Sequence, residues 1–71
     1  MEGGAGMEQL KQRSLKELRA GKEVTQQEVA TAIGVSLPTY GAWEKDLKNA
    51  PMGKVVALAE YFGVTVGEIK L

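Results

Sequence analysis

Cysteine and histidine are both absent from this chain of 71 residues. Without them the protein cannot form disulfides, thiolate or imidazole metal sites, or a nucleophile activated by an imidazole base. We therefore expect no enzymatic activity, no metal and no cofactor. The sequence has no apolar run of membrane-spanning length, and its first residues lack the order of a signal peptide, so we expect a cytoplasmic protein.

An excess of one charge is also absent, because 9 basic and 9 acidic residues give a formal net charge of zero. This balance counts against nucleic-acid binding, since domains that bind nucleic acids are usually basic. The hydrophobic content of 44% and the charged content of 25% are nevertheless typical of a globular domain. A chain of this length has room for one such domain with one small core.

Glycine is concentrated at the beginning of the chain, where Gly3, Gly4 and Gly6 precede a second methionine, Met7. Such a composition is typical of a flexible leader or an expression scar, and we place the natural start near Met7. The sequence thus predicts a leader at residues 1–7 and one domain at residues 8–71. We expect Leu10 to pack against the first helix from the segment that precedes it.

Capping signals and apolar periodicity predict five helices and no strand. Three segments fit the capping box, in which a hydroxyl and a carboxylate bond to the free amides of a helix start: Ser14 to Glu17, Thr25 to Glu28, and Thr65 to Glu68. Three glycines follow helical segments, where a left-handed residue commonly ends a helix: Gly21, Gly34 and Gly63. The predicted helices cover residues 15–22, 26–33, 37–45, 52–62 and 66–71.

The second and third predicted helices are joined only by residues 34–36, and so short a connection makes them cross steeply, as in a helix-turn-helix. We expect Gly34 to supply the positive φ of the turn and Ala30 to lie where the helices approach most closely. Tyr40 and Trp43 have the i, i+3 spacing of an inward face. That spacing favours core packing over the alternative, stacking on single-stranded nucleic acid.

The order of these motifs resembles the Cro/CI (Xre-type) helix-turn-helix family of phage repressors and bacterial regulators. The residues that carry the resemblance are Thr25-Gln26-Gln27-Glu28-Val29-Ala30, Ile33-Gly34-Val35-Ser36 and Trp43-Glu44-Lys45, followed by the segment from Leu58 to Ile69. The resemblance covers residues 15–69 and implies an all-α, compact five-helix bundle of the lambda-repressor-like type. It also implies a transcriptional regulator that binds double-stranded operator DNA, commonly as a homodimer, with the third helix in the major groove.

The resemblance implies a role for each of several side chains. Base or groove contacts are expected from the recognition helix: Leu37, Pro38, Thr39, Gly41 and Ala42. Phosphate contacts are expected near the starts of the second, third and fourth helices and in the loop after the third: Gln26, Ser36, Lys45, Lys48, Asn49 and Lys54. Independently of the resemblance, we expect the Tyr40 hydroxyl to reach a phosphate from the edge of the third helix. Structural roles are expected for the residues that hold the motif together: Arg19, Ala30, Gly34, Trp43 and Glu44. Arg19 and Glu44 are expected to form an ion pair between the first helix and the end of the third.

The reading face departs from the family pattern, because Leu37, Pro38, Gly41 and Ala42 have no side-chain group that can hydrogen-bond a base edge. We expect three of them, Leu37, Pro38 and Ala42, to contact thymine methyl groups, with Thr39 as the one nearby hydroxyl and DNA shape adding specificity. Gly41 costs roughly 1 kcal/mol of helix propensity relative to alanine. That cost fits either a close approach of DNA or of a second subunit, or simple tolerance.

A second hypothesis from a different functional class stays open on the sequence alone. The zero net charge and the missing polar readers are also typical of a protein-interaction module, or of an antitoxin that binds DNA and a toxin together. In that hypothesis the apolar residues Leu37, Pro38 and Ala42 contact a protein partner. The salt dependence of DNA affinity separates the two hypotheses, because only phosphate neutralisation by several lysines makes affinity fall steeply with salt.

Overall fold

The structure, a computed structural model, describes residues 11–71, which form four α-helices and two 3-10 turns. We number the helices α1 (Leu15–Lys22), α2 (Gln26–Ile33), α3 (Leu37–Lys45) and α4 (Met52–Phe62), and the 3-10 turns are Leu47–Asn49 and Val66–Glu68. None of these helices is long and apolar enough to cross a membrane. The predicted leader at residues 1–7 and the predicted packing of Leu10 lie outside the described residues.

The helix starts are held by side-chain caps. Ser14 Oγ accepts a hydrogen bond from the Glu17 amide at 3.1 Å, and a Glu17 carboxylate oxygen accepts one from the Ser14 amide at 2.8 Å. Thr25 and Glu28 repeat this pattern before α2 at 3.0 and 2.7 Å. Ser36 caps α3 with its hydroxyl. These bonds satisfy amides that have no partner within the helix, and they confirm the predicted starts of α1, α2 and α3.

Two of the three predicted left-handed helix ends are confirmed. Gly34 ends α2 with φ 77° and Gly63 ends α4 with φ 70°. The prediction for Gly21 is wrong, since α1 continues through it and Glu23 is the left-handed residue, with φ 60°. The Glu23 amide donates to the Ala20 carbonyl at 3.2 Å, and such a bond at a helix end offsets part of the cost of a left-handed non-glycine residue.

The predicted fifth helix at residues 66–71 is wrong, because only Val66–Glu68 turns, as a single 3-10 turn. Ile69 is extended and pairs in parallel with Arg13 in an isolated β-bridge. The backbone of Arg13 bonds to the chain on both sides of Ile69, with N–O distances of 2.9 and 2.8 Å. Gly67 disfavours a helix, and a helix of this length is marginal without strong packing. Over residues 11–71 the fold is therefore all-helical, with four helices rather than five.

A single hydrophobic core lies between the four helices, and it also takes Leu47 from the first 3-10 turn and Ile69 from just after the second. Its buried members come from every part of the described chain: Leu15, Leu18, Val29, Ala30, Ile33, Tyr40, Leu47, Val55, Leu58, Ala59 and Ile69. From α3 the core takes only Tyr40 as a fully buried residue. Most of the remaining surface of α3 is thus left outside the core.

Candidate nucleic-acid interface

The connection between α2 and α3 is a tight turn locked by backbone hydrogen bonds. The Gly34 amide donates to the Thr31 carbonyl at 3.2 Å, and the Val35 amide donates to the Ala30 carbonyl at 3.0 Å. Ala30 is completely buried beside this turn. Its methyl group therefore fills the space between the helices, and α3 follows α2 as the second helix of a helix-turn-helix.

The two sides of α3 have different environments. Tyr40 is completely buried, Trp43 is half-buried against the core, and the Glu44 side chain is only 7% exposed. The opposite side is exposed at Pro38 and Ala42. Because residues three and four positions apart share a helix face, the buried side faces the core and the other side faces solvent. We call the solvent side, formed by the five predicted groove residues, the outer face of α3: Leu37, Pro38, Thr39, Gly41 and Ala42.

Tyr40 cannot make the phosphate contact expected for it. The side chain has 0% exposure, and its hydroxyl is buried without a hydrogen-bond partner of ordinary geometry. Burial raises the pKa of this hydroxyl, with the nearby Glu44 carboxylate acting in the same direction. The i, i+3 spacing with Trp43 predicted an inward position, and the structure confirms that part. The contact predicted at the DNA edge is wrong, because no surface of the hydroxyl is left to meet a phosphate.

Arg19, Glu44 and Gln26 form a network that ties three helices together. Arg19 Nε donates to Glu44 Oε2 at 2.7 Å, which confirms the predicted pair between α1 and α3. Gln26 Nε2 at the start of α2 donates to the other carboxylate oxygen, Oε1, at 2.8 Å. The Glu44 side chain is only 7% exposed and the Arg19 side chain 22%. With both carboxylate oxygens bonded, Glu44 fixes the C-terminal end of α3 against α1 and α2.

Opposing influences act on the ionisation of Glu44. Burial disfavours the charged carboxylate, but hydrogen bonds from Arg19 and Gln26, together with the Arg19 charge, outweigh burial and lower the pKa of Glu44 below its usual value. The same pair raises the pKa of Arg19, chiefly through its hydrogen bond to Glu44. The network is therefore ionised near neutral pH and holds α3 by charge-assisted hydrogen bonds.

Gln26 and Lys54 were both expected at phosphates, and the structure shows internal partners for them that the sequence did not reveal. The Gln26 amide bonds to Glu44, so one of its two N–H groups is occupied. Lys54 Nζ donates to the Ile33 carbonyl at 2.8 Å, where a cation is favoured by the C-terminal end of α2. Each side chain has donors left, and the predicted phosphate contacts stay predictions. Spacing along the chain carries no signal for either internal bond.

Lys45, Lys48 and Asn49 follow the outer face of α3 and are all exposed. Among the described residues neither lysine takes part in an ion pair, since the only ion pair found there joins Arg19 to Glu44. The adjacent carboxylate of Asp46 accepts a hydrogen bond from the Lys48 amide at 3.1 Å. The exposed side chains from 37 to 49 thus carry two positive charges and one negative charge.

Gly41 has no steric role within the described fold. A Cβ atom added to it would have no neighbour within 4 Å, and its φ is not positive. Gly34 differs, because its φ of 77° is one that L side chains rarely adopt. Backbone conformation therefore explains Gly34, whereas neither backbone conformation nor packing in the described fold explains Gly41. The outer face of α3 thus has no side chain at its middle.

Comparisons with known proteins agree with this geometry. The pattern of a helix-turn-helix family matches residues 15–69. The cryptic phage CTXphi transcriptional repressor RstR of Vibrio cholerae is 36% identical over 55 residues, which are 78% of this chain and 50% of RstR. The uncharacterized HTH-type transcriptional regulator YobD of Bacillus subtilis is 34% identical over 55 residues, 78% of this chain and 49% of YobD.

The chain thus spans about half the length of the curated relatives it matches. No solved structure matches it. The family pattern nevertheless covers both helices of the motif, the turn between them, α1 and α4. This chain belongs to the helix-turn-helix family of Cro/CI type.

Proposed function

We propose that this chain is a sequence-specific transcriptional regulator that binds double-stranded DNA with the outer face of α3 in the major groove. One observation carries the proposal. The buried side of α3 is anchored by Tyr40 and Glu44, while the other side is exposed along the helix. A helix of that kind, placed second in a helix-turn-helix, has the geometry that enters a major groove.

The names of the two relatives support the type of regulator. One is a transcriptional repressor of a cryptic phage and the other is an HTH-type transcriptional regulator. We accordingly propose a repressor of phage or prophage origin that acts on operator DNA in the cytoplasm. Because this chain matches about half of each relative, the functions of their remaining halves form no part of the proposal.

The distribution of charge supports DNA binding despite the zero net charge. The Glu44 carboxylate is neutralised by Arg19 inside the fold, so it does not repel phosphates. Lys45 and Lys48 are exposed where α3 ends, and Lys54 lies beside the turn at which α3 begins, 3.6 Å from the position of a Cβ on Gly34. Positive charge thus lies near both ends of the outer face. Two or three phosphate contacts there would position α3 without reading sequence.

We further propose that two copies bind one operator. Regulators with this motif read two half-sites about one helical turn, roughly 34 Å, apart, and the symmetry of the site matches that of the dimer. Sedimentation of the protein with and without its operator tests this part. A 1:1 complex at saturation would contradict it.

Salt-dependent binding to duplex DNA tests the proposed function. Random duplexes about two helical turns long are enriched for binding, and the affinity for the enriched site is measured by fluorescence anisotropy at several salt concentrations. We expect affinity to fall linearly on a double-logarithmic plot, and Lys48→Gln to lower the slope by about 1. Lys22→Gln is the matched control, because Lys22 lies over the Tyr61 ring at the far end of α4 from Lys54.

Each outcome separates the two functional hypotheses. A slope that falls with Lys48→Gln and stays constant with Lys22→Gln supports phosphate contacts at the end of α3. A failure to enrich any duplex, even at low salt, would refute the proposed function and favour a protein partner for the outer face.

A further inference from the structure

The outer face of α3 is almost free of hydrogen-bonding groups. Leu37 is 39% exposed, Pro38 and Ala42 are exposed, and none of these side chains has a polar atom. Gly41 adds only backbone. Besides Lys45, the charged residue of α3 is Glu44, and its carboxylate is bonded to Arg19 and not directed to the outer face. A base edge against this face thus meets mainly carbon.

The one hydroxyl on the face, that of Thr39, is held by its neighbour. Ser36 Oγ donates to Thr39 Oγ1 at 2.9 Å, and the Thr39 amide donates to Ser36 Oγ at 3.3 Å. One acceptor position of Thr39 is therefore occupied, and its own proton stays available. This hydroxyl can serve one acceptor on DNA, and it cannot supply the set of donors and acceptors that a hydrogen-bond code needs.

Gly41 makes the apolar face shallow. Space for a side chain exists at this position, since nothing lies within 4 Å of an added Cβ. A side chain at position 41 would project from the outer face toward a bound molecule. Along the helix axis it would lie between Leu37 and Ala42. Without it, the backbone of α3 can approach the groove floor and bring the carbon atoms of Leu37 and Ala42 close to the base edges.

The only apolar group that bases present in the major groove is a methyl on C5 of a pyrimidine, as in thymine. We infer that the outer face of α3 selects operator sites by C5-methyl groups, and that it accepts 5-methylcytosine in place of thymine as the methyl carrier. This inference rests on the proposed DNA binding. The ligand of the outer face is then the major-groove edge of a pyrimidine that carries a methyl group, and Leu37 is the main residue that contacts this methyl group.

Base analogues that change only the methyl group test the inference. Starting from the enriched duplex, each thymine is replaced in turn by uracil, and at each position that responds the T·A pair is replaced by C·G or by 5-methylcytosine·G. We expect uracil to lower affinity about fourfold at a contacted position, since each buried methyl-sized group contributes about that factor. At the same position we expect 5-methylcytosine to bind about fourfold more tightly than cytosine.

Two variants assign the effect to the outer face. Leu37→Ala should bring the thymine-to-uracil ratio at one position close to one. Val56→Ala is the matched control, because Val56 on α4 has the same 39% exposure as Leu37 but lies on another helix. It should leave the ratio unchanged. The Leu37→Ala variant also separates direct contact from changes in DNA shape that methyl groups cause. An effect of DNA shape on affinity would persist in this variant, whereas an effect of direct contact would be lost.

The results that overturn the inference differ from those that overturn the proposed function. If duplexes are enriched and bound, but uracil and thymine versions bind equally at every position, methyl selection is wrong while DNA binding stands. Equal affinity for cytosine and 5-methylcytosine where uracil lowers affinity would also overturn it. If no duplex binds, the proposed function itself fails.

Discussion

Replacing Arg19 by methionine leaves the Glu44 carboxylate inside the fold without its cation. Glu44 is 7% exposed and Arg19 22%, so the pair lies between an exposed pair, which contributes at most about 1 kcal/mol, and a buried one, whose disruption costs about 3–5 kcal/mol. We expect Arg19→Met to lower the free energy of unfolding by about 2 kcal/mol at pH 7, which for a domain of this size lowers Tm by about 10 °C.

The loss should depend on pH with a defined sign. In the native protein the pKa of Glu44 is lowered, so its contribution to stability is present above the usual glutamate pKa of about 4.3 and is lost as pH falls through the lower folded value. Without Arg19, burial is the largest influence and raises the pKa of Glu44. On acidification, protonation of Glu44 then removes an unfavourable contribution from the variant, whereas in the native protein it removes a stabilising one. The difference between them should be largest near neutral pH and shrink below about pH 4.

Urea denaturation followed by the fluorescence of Trp43, the single tryptophan of the chain, measures both effects. Lys16→Met is the matched control, because Lys16 lies on the same helix, is exposed, and has no ion pair among the described residues. A cycle with Glu44→Gln and the double variant isolates the pair from other carboxylates. A cost of Arg19→Met no larger than that of Lys16→Met, or an equal cost at pH 3.5 and pH 7, would show that Arg19 does not stabilise the Glu44 carboxylate.

Other predictions concern Gln26 and the two glycines of the motif. Gln26→Ala removes the hydrogen bond to Glu44 and should lower the free energy of unfolding by about 1 kcal/mol, measured by urea denaturation; it should also weaken DNA affinity equally for all sites, and a loss confined to one base position would contradict that. Gly34→Ala and Gly41→Ala should have opposite effects, a loss of about 1 kcal/mol at the positive φ of Gly34 and a gain of up to about 1 kcal/mol in the helix at Gly41. Thermal unfolding of both variants checks this pair, and a destabilised Gly41→Ala would show that a neighbour fills the space beside it.

The helix starts and most helix ends could be predicted because their determinants are local. Ser14, Thr25 and Ser36 each act on amides within three residues, so the sequence contains the complete cap. The bounds of α1 were predicted correctly at residues 15–22, but its left-handed end was assigned to Gly21 because glycine is the usual left-handed residue and Glu23 is not.

Features that depend on distant parts of the chain were not predictable. The predicted fifth helix failed because Arg13, 56 positions before Ile69, pairs with it. The Arg19–Glu44 pair was expected only through the family resemblance, and the bonds of Gln26 and Lys54 were missed, since periodicity assigns a side chain to a face but not to a partner. For the same reason Tyr40 was placed correctly inside and yet given a phosphate contact that its burial prevents.

We propose above that the outer face of α3 and the lysines where α3 ends bind duplex DNA. Two-dimensional NMR of the backbone amides, recorded while the enriched duplex is added, tests it most directly. We expect the largest shifts at Thr39, Gly41, Ala42 and the segment 45–49, with small shifts along the middle of α4. Shifts centred instead on the exposed apolar residues Met52 and Val66, with the amides of α3 unchanged, would contradict it.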